Sequence, residues 1–215
     1  MKRAIVFDLD GTLIDSAGGI RVAVNKMLLE LGQAPLDLAT ITGFIGHGLP
    51  MLVSRVITFS GLDPAQQDDL TARVIANYNA DPLAETTLYP AVESTLKRLK
   101  QNGFALGICT NKPIIATQDI LAKTGLEPYF DVVLGGDSLR QRKPDPAPLI
   151  ETFKRLKSQG LYVGDSEVDA ETAQRAGIDF ALFTEGYRKT PVNALPHHFA
   201  FSQYDALGDY IAKTM

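Results

Sequence analysis

Apolar residues along this chain fall into two kinds of run. Short runs bounded by turn residues predict buried strands: Ala4-Ile5-Val6-Phe7, Ala105 with Leu106, Ile108 and Cys109, Val132-Val133-Leu134, Leu161-Tyr162-Val163 and Phe180-Ala181-Leu182-Phe183. Between most of them apolar positions recur at helical spacing. Helices are expected at 90–102, opened by Pro90 and closed by Asn102-Gly103, at 113–123 ahead of Gly125, at 146–158, and ahead of Gly177. Strands alternating with helices predict an α/β fold with a parallel sheet covered by helices on both faces.

One interval breaks the alternation. Residues 16–81 carry only helical stripes: Val24, Met27, Leu28 and Leu31 before Gly32; Leu52, Val53, Val56 and Ile57 after a glycine-rich turn at 43–48; and Leu70, Val74, Ile75 and Tyr78 after Asp63-Pro64. This section falls between the first strand and the rest of the alternation. The expected organisation is an α/β core from 1–15 and 83–215 with an all-helical domain inserted at 16–82. The tail after Tyr187 reads as loop, ending in a short helix near 204–212.

Composition narrows the class. At 215 residues with a net charge of -4, the chain can bury a substantial core and offers no general basic field for nucleic acid or an anionic membrane. No apolar run is long enough to cross a bilayer, and the first strand begins directly after Met1-Lys2-Arg3. The single cysteine, Cys109, excludes an intramolecular disulfide and reads as a small buried hydrophobe, so the expected setting is a reducing cytoplasm.

Chemistry gathers at the strand ends. Asp8 and Asp10 end the first strand, Thr110 and Asn111 the second; Lys143 follows the third, and Asp165 and Asp169 follow the fourth. In a doubly wound sheet these positions open on one edge, where such folds bind ligands. Acids so close either share protons or hold a cation, and carboxylates with water suit magnesium. A magnesium shell is often completed by a phosphate oxygen, and Lys143 and Thr110 suit a phosphoryl group's other oxygens. Asp8 can then attack phosphorus, while Asp10 protonates the leaving oxygen and later deprotonates water.

These segments, Asp8-Leu-Asp-Gly-Thr-Leu, Thr110-Asn111, Lys143-Pro144 and Gly164-Asp165-Ser-Glu-Val-Asp169, resemble in order the four motifs of the haloacid-dehalogenase-like hydrolase superfamily. The resemblance implies a Rossmann-like core, an aspartyl-phosphate on Asp8, and magnesium held by Asp8, the Asp10 backbone carbonyl and Asp165, with Asp169 supporting the metal. It also implies that the helical insertion is a cap over the substrate. The acid at Asp10 disfavours dehalogenation and phosphonate cleavage. The segments 43–48, 143–146 and 164–188 look most like bacterial phosphoglycolate phosphatases, which implies hydrolysis of 2-phosphoglycolate. The expected partner is a small phosphorylated metabolite, bound by Thr110, Asn111, Lys143 and His47, in a monomer or homodimer.

Other readings stay open. His47, between glycines, is either a substrate contact or a solvated turn residue. Asp169 is a helix cap, a metal-site residue or both. Arg21 and Arg55 either face an anionic substrate or are solvated, the latter being the stronger expectation, and His197 and His198 read as surface residues. A β-phosphoglucomutase-like sugar-phosphate mutase shares the core and the aspartyl-phosphate. A receiver-like signalling module shares strand-end acids, a Thr and a Lys, but gives Asp10 no leaving group to serve.

Overall fold

Both faces of the central sheet are dry, and the first strand shows why. In β1 (Ala4–Phe7) every residue is buried. Ile5 and Phe7 point into one hydrophobic cluster, Ala4 and Val6 into a second on the opposite face. That is the two-residue period of a strand covered on both sides, as parallel sheets require. The computed structural model describes residues 3–214.

β1 lies inside a six-stranded sheet and pairs in parallel with β4 (Ala105–Cys109) and β6 (Gly160–Gly164), Phe7 facing both Ile108 and Val163. Outward from β4 lies β5 (Val132–Leu134). Outward from β6 lie β7 (Asp179–Phe183) and β8 (Phe199–Phe201), all parallel. The connecting helices are α5 (Val92–Gln101), α6 (Ile114–Lys123), α7 (Ala147–Leu156) and α8 (Glu167–Ala176), with α9 (Tyr204–Thr214) last. A parallel strand pair needs a crossover, and these helices provide it.

Between Asp15 and Thr87 the described chain holds helices and turns: α1 (Ala17–Glu30), α2 (Leu38–Thr42), α3 (Leu49–Ser60) and α4 (Gln67–Ala80). Asp63 accepts the Ala65 N–H and starts the 3₁₀ turn Pro64–Gln66 that leads into α4. Val24, Met27, Val53, Val56, Leu70 and Val74 are fully buried. Where the chain leaves and returns, β2 (Ile14–Asp15) pairs antiparallel with β3 (Thr87–Leu88), placing Asp15 opposite Thr87.

Two features depart from the sequence expectation. The tail is not all loop, because Phe199–Phe201 adds the edge strand β8, its Phe199 ring stacked 4.2 Å from that of Tyr210. Three residues are too few to show a period, and only pairing with β7 makes them a strand. The β2–β3 ribbon, two residues a side, escapes for the same reason. No described helix is long and apolar enough to cross a membrane.

Candidate active site

The carboxyl edge of the sheet brings together Asp8 after β1, Asp165 after β6 and Asp169 in the first turn of α8. One carboxylate oxygen from each lies within 4.8 Å of the others, and all three side chains are buried. Each is held differently. Asp165 accepts the Thr12 hydroxyl (2.8 Å) and the Tyr187 N–H (2.6 Å). Asp169 Oδ2 accepts the Ser166 N–H and hydroxyl, closing a capping box on α8, while Oδ1 pairs with Lys143 Nζ at 2.7 Å and meets the Tyr162 hydroxyl at 2.7 Å. Asp169 is thus a cap and a member of the acid cluster at once.

Lys143 is the counter-charge. Its buried ammonium reaches Asp169, the Tyr162 hydroxyl at 2.8 Å and Asp8 Oδ1 at 3.0 Å. The contact to Asp8 has ion-pair distance but not hydrogen-bond geometry, so Asp8 Oδ1 is a buried oxygen without a hydrogen-bond donor. One cation against three acids leaves negative charge in excess. Burial raises the Asp8 carboxyl toward about 7, against Lys143 and helped by the Asp169 charge. Burial, then the charges of Asp169 and Asp8, also push Asp165 up. Asp169 alone lies below the ordinary range: burial opposes its charge, but Lys143, Ser166 and Tyr162 outweigh it. Three buried carboxylates against one ammonium make an over-charged, all-oxygen ligand set that fits a hard divalent cation.

Asp10 takes no part in this cluster through its side chain. Its Oδ1 accepts the Ser16 hydroxyl (2.6 Å) and Lys112 Nζ (3.1 Å). Lys112 in turn donates to the Tyr78 hydroxyl on α4 at 2.9 Å. Burial disfavours the Lys112 charge, but Asp10 and Tyr78 more than restore it and hold the ammonium above its ordinary value.

A cavity of about 200 Å³ opens over these groups. Asp8, Asp10, Thr110, Asn111 and Lys112 form its polar wall; Ile20, Ile45, Leu49, Leu52, Ile75 and Tyr78 from the helical segment form the other. The glycine turn closes over one side. Gly46 O accepts Asn111 Nδ2 at 3.1 Å, and a β-carbon on Gly48 (φ +82°) would stand 3.2 Å from Asn111 O.

Asp8, Asp10, Thr110 and Asn111 line this cavity, with Lys143 directly behind Asp8. The Asn111 amide is already engaged: besides Gly46 O it donates to Lys143 O (2.9 Å) and accepts the Lys143 N–H (3.0 Å). The Thr110 hydroxyl accepts the Lys112 N–H at 3.3 Å. His47 is exposed and off the cavity wall, its imidazole held below the ordinary value by partial desolvation and by Arg55 and Lys189. Arg21 pairs with Glu85 at 2.7 Å and Arg55 donates to Phe44 O at 3.0 Å, neither on the wall. His198 Nδ1 accepts the Phe180 N–H at 3.1 Å beside the sheet. Cys109 is fully buried, its thiol pushed up to about 12 by burial.

Lys112, Tyr78, Tyr162 and Tyr187 are the residues that the sequence reading did not place at the site. Lys112 directly follows Thr110-Asn111, and that adjacency to a strand-end pair was the available signal. Tyr78 lay hidden in a helical apolar stripe, where an aromatic reads as core.

Sheet order, the acid cluster and its buried lysine define an α/β hydrolase core of Rossmann-like type. The chain belongs to the haloacid dehalogenase-like hydrolase family, whose model matches residues 5–183. It is 52% identical over 214 residues to a phosphoglycolate phosphatase of Cereibacter sphaeroides, covering 98% of each chain. To a phosphoglycolate phosphatase of Rhodobacter capsulatus it is 46% identical over 210 residues, 96% of this chain and 95% of that one. Among solved structures it resembles a predicted phosphoglycolate phosphatase from Haemophilus somnus, with a TM-score of 0.92 and 28% identity over 100% of this chain and 98% of the other.

Proposed function

We propose that this protein is a magnesium-dependent phosphatase that hydrolyses 2-phosphoglycolate to glycolate and phosphate. The observation that carries the reading is the set of three buried acids, Asp8, Asp165 and Asp169, against the single ammonium of Lys143, with Asp8 also lining a cavity that holds Asp10. The names of the relatives supply the substrate; the small cavity agrees with it.

In this reading Asp8, Asp165 and the Asp10 backbone carbonyl hold magnesium, with Asp169 supporting them. The bound ion neutralises the excess acid charge and polarises a phosphoryl oxygen. The Asp8 carboxylate forms a bond to phosphorus as the bond to the ester oxygen breaks, and Asp10 gives that oxygen its proton. Asp10, now a carboxylate, takes a proton from the water that attacks the phosphorus of phospho-Asp8, releasing phosphate and restoring both acids. Lys143 and Thr110 offset charge on the phosphoryl oxygens. Residues 16–82 act as a cap that keeps bulk water out.

Phosphate release across a panel of phosphorylated metabolites tests this. Phosphoglycolate is expected to give the highest kcat/KM, with turnover lost in excess EDTA and in Asp8→Asn. Robust turnover by Asp8→Asn, or indifference to EDTA, overturns the mechanism. Isomerisation of a phosphosugar without phosphate release overturns the phosphatase reading in favour of a mutase.

A further inference from the structure

We infer that Lys112 is the specificity residue of this cavity, receiving a carboxylate that the substrate carries one carbon away from its ester oxygen. The inference rests on the phosphatase reading and deepens it. Among the described residues lining the cavity, Lys112 is the one cation, because Lys143 lies behind Asp8 and outside the wall. The opposite wall is mostly apolar, with Ile45, Leu52 and Ile75, and its polar side chains, Tyr78 and Asn79, carry no positive charge, so Lys112 is the one lining group that can neutralise a second anionic group on the substrate.

Distance selects the carboxylate position. The ester oxygen has to come within hydrogen-bond reach of Asp10 to take its proton. Lys112 Nζ is 3.1 Å from that same carboxylate. A carboxylate joined through one carbon to an oxygen at Asp10 therefore falls beside the ammonium, whereas a longer leaving group overshoots toward the apolar wall. The ammonium contacts two groups, the Asp10 carboxylate (Oδ1 3.1 Å, Oδ2 3.4 Å) and the Tyr78 hydroxyl (2.9 Å), so with three N–H donors a ligand carboxylate has only to displace the long Oδ2 contact. The side chain is only 6% exposed, so a charge-assisted hydrogen bond there is poorly screened. The motif neighbours Thr110 and Asn111 give no hint of this, since their side chains bond to main-chain groups.

The test compares two esters of matched size, 2-phosphoglycolate and 2-hydroxyethyl phosphate, which replaces the carboxylate by a neutral CH₂OH. The ratio of their kcat/KM values is read within each variant, so differences in the amount of folded enzyme cancel. Wild type is expected to favour phosphoglycolate. Lys112→Gln, which can still hydrogen-bond to Asp10 and Tyr78, should lower that ratio by about ten- to a hundredfold, mainly through KM for phosphoglycolate. Lys112→Met should lower it as far, and Lys112→Arg should recover most of it. An unchanged ratio, with both esters losing equally, overturns the inference and leaves Lys112 acting only on Asp10. Equal kcat/KM for both esters in wild type also overturns it, while the phosphatase reading stands. Failure of wild type to release phosphate from either ester overturns the proposed function, and this inference with it.

Discussion

Replacing Asp8 by Asn should raise the stability of the metal-free protein while destroying its activity. The reasoning is electrostatic. The ligand oxygens of Asp8, Asp165 and Asp169 lie within 4.8 Å of one another, so each like-charge pair involving Asp8 costs about 3 kcal/mol or more at an effective dielectric of about 20. Against this, Lys143 Nζ stands 3.0 Å from Asp8 Oδ1 and returns about 5 kcal/mol on the same scale. Repulsion and the loss of hydration therefore exceed attraction. Part of the excess is relieved when one of the acids holds a proton, which leaves about 1–3 kcal/mol to be gained by the neutral amide. For a chain of this size, that is a rise of roughly 3–10 °C in Tm.

Differential scanning calorimetry in EDTA and in magnesium gives the readout. Wild type should gain about 2.7 kcal/mol when magnesium is a hundredfold above its Kd, and the Asn variant should gain much less, because one of the ligands has lost its charge. The two melting curves should therefore approach or cross as magnesium is added. A lower Tm for the Asn variant in EDTA, together with an equal response to magnesium, would refute the view that the cluster is over-charged and completed by a cation.

Two further substitutions probe the supports of the site. Asn111→Ala removes bonds to Gly46 O, Lys143 O and Lys143 N–H, and should cost roughly 2–4 kcal/mol in urea unfolding, with kcat/KM falling because Lys143 is no longer held; a change under about 0.5 kcal/mol would show the amide to be dispensable. At Gly186→Ala the new β-carbon would press on Gly11 O and the Asp165 side chain, so stability should drop by about 1–3 kcal/mol and magnesium affinity with it, and unchanged magnesium affinity by calorimetric titration would contradict that packing.

Most of the fold was readable because its signals are local. β1, β4, β6 and β7 are apolar runs ended by turn residues, and Gly125 and Gly177 stop their helices where a left-handed residue is needed. The acids at the strand ends were readable because topology alone sends them to one edge. What stayed hidden depends on contacts distant in sequence. Tyr162 sits mid-strand and reads as core, yet its hydroxyl meets Lys143 and Asp169. Tyr78 belongs to the apolar stripe of α4, and only the packing of that helix on the core turns its hydroxyl toward Lys112. The side chain of Asn111 was expected on the substrate; its amide instead bonds to the main chain of Gly46 and Lys143. Period and propensity describe which face a residue occupies, not what lies across from it.

The segment where the chain leaves the core is bonded to Asp10 and, through Tyr187, to Asp165. The Tyr187 hydroxyl donates to Asp15 Oδ1 and accepts the Ser16 and Ala17 N–H groups, at 2.8, 2.7 and 3.0 Å, while the Tyr187 N–H holds Asp165. The Ser16 hydroxyl binds Asp10, and the far side of the helical segment is tied through Tyr78 to Lys112 and through Gly46 to Asn111. A rotation of the helices about residues 15–17 would therefore part the Tyr78–Lys112 and Gly46–Asn111 bonds, which lie far from that pivot. The helical segment and the polar wall of the cavity are thus held in place by the same bonds, to Asp10, Lys112 and Asn111.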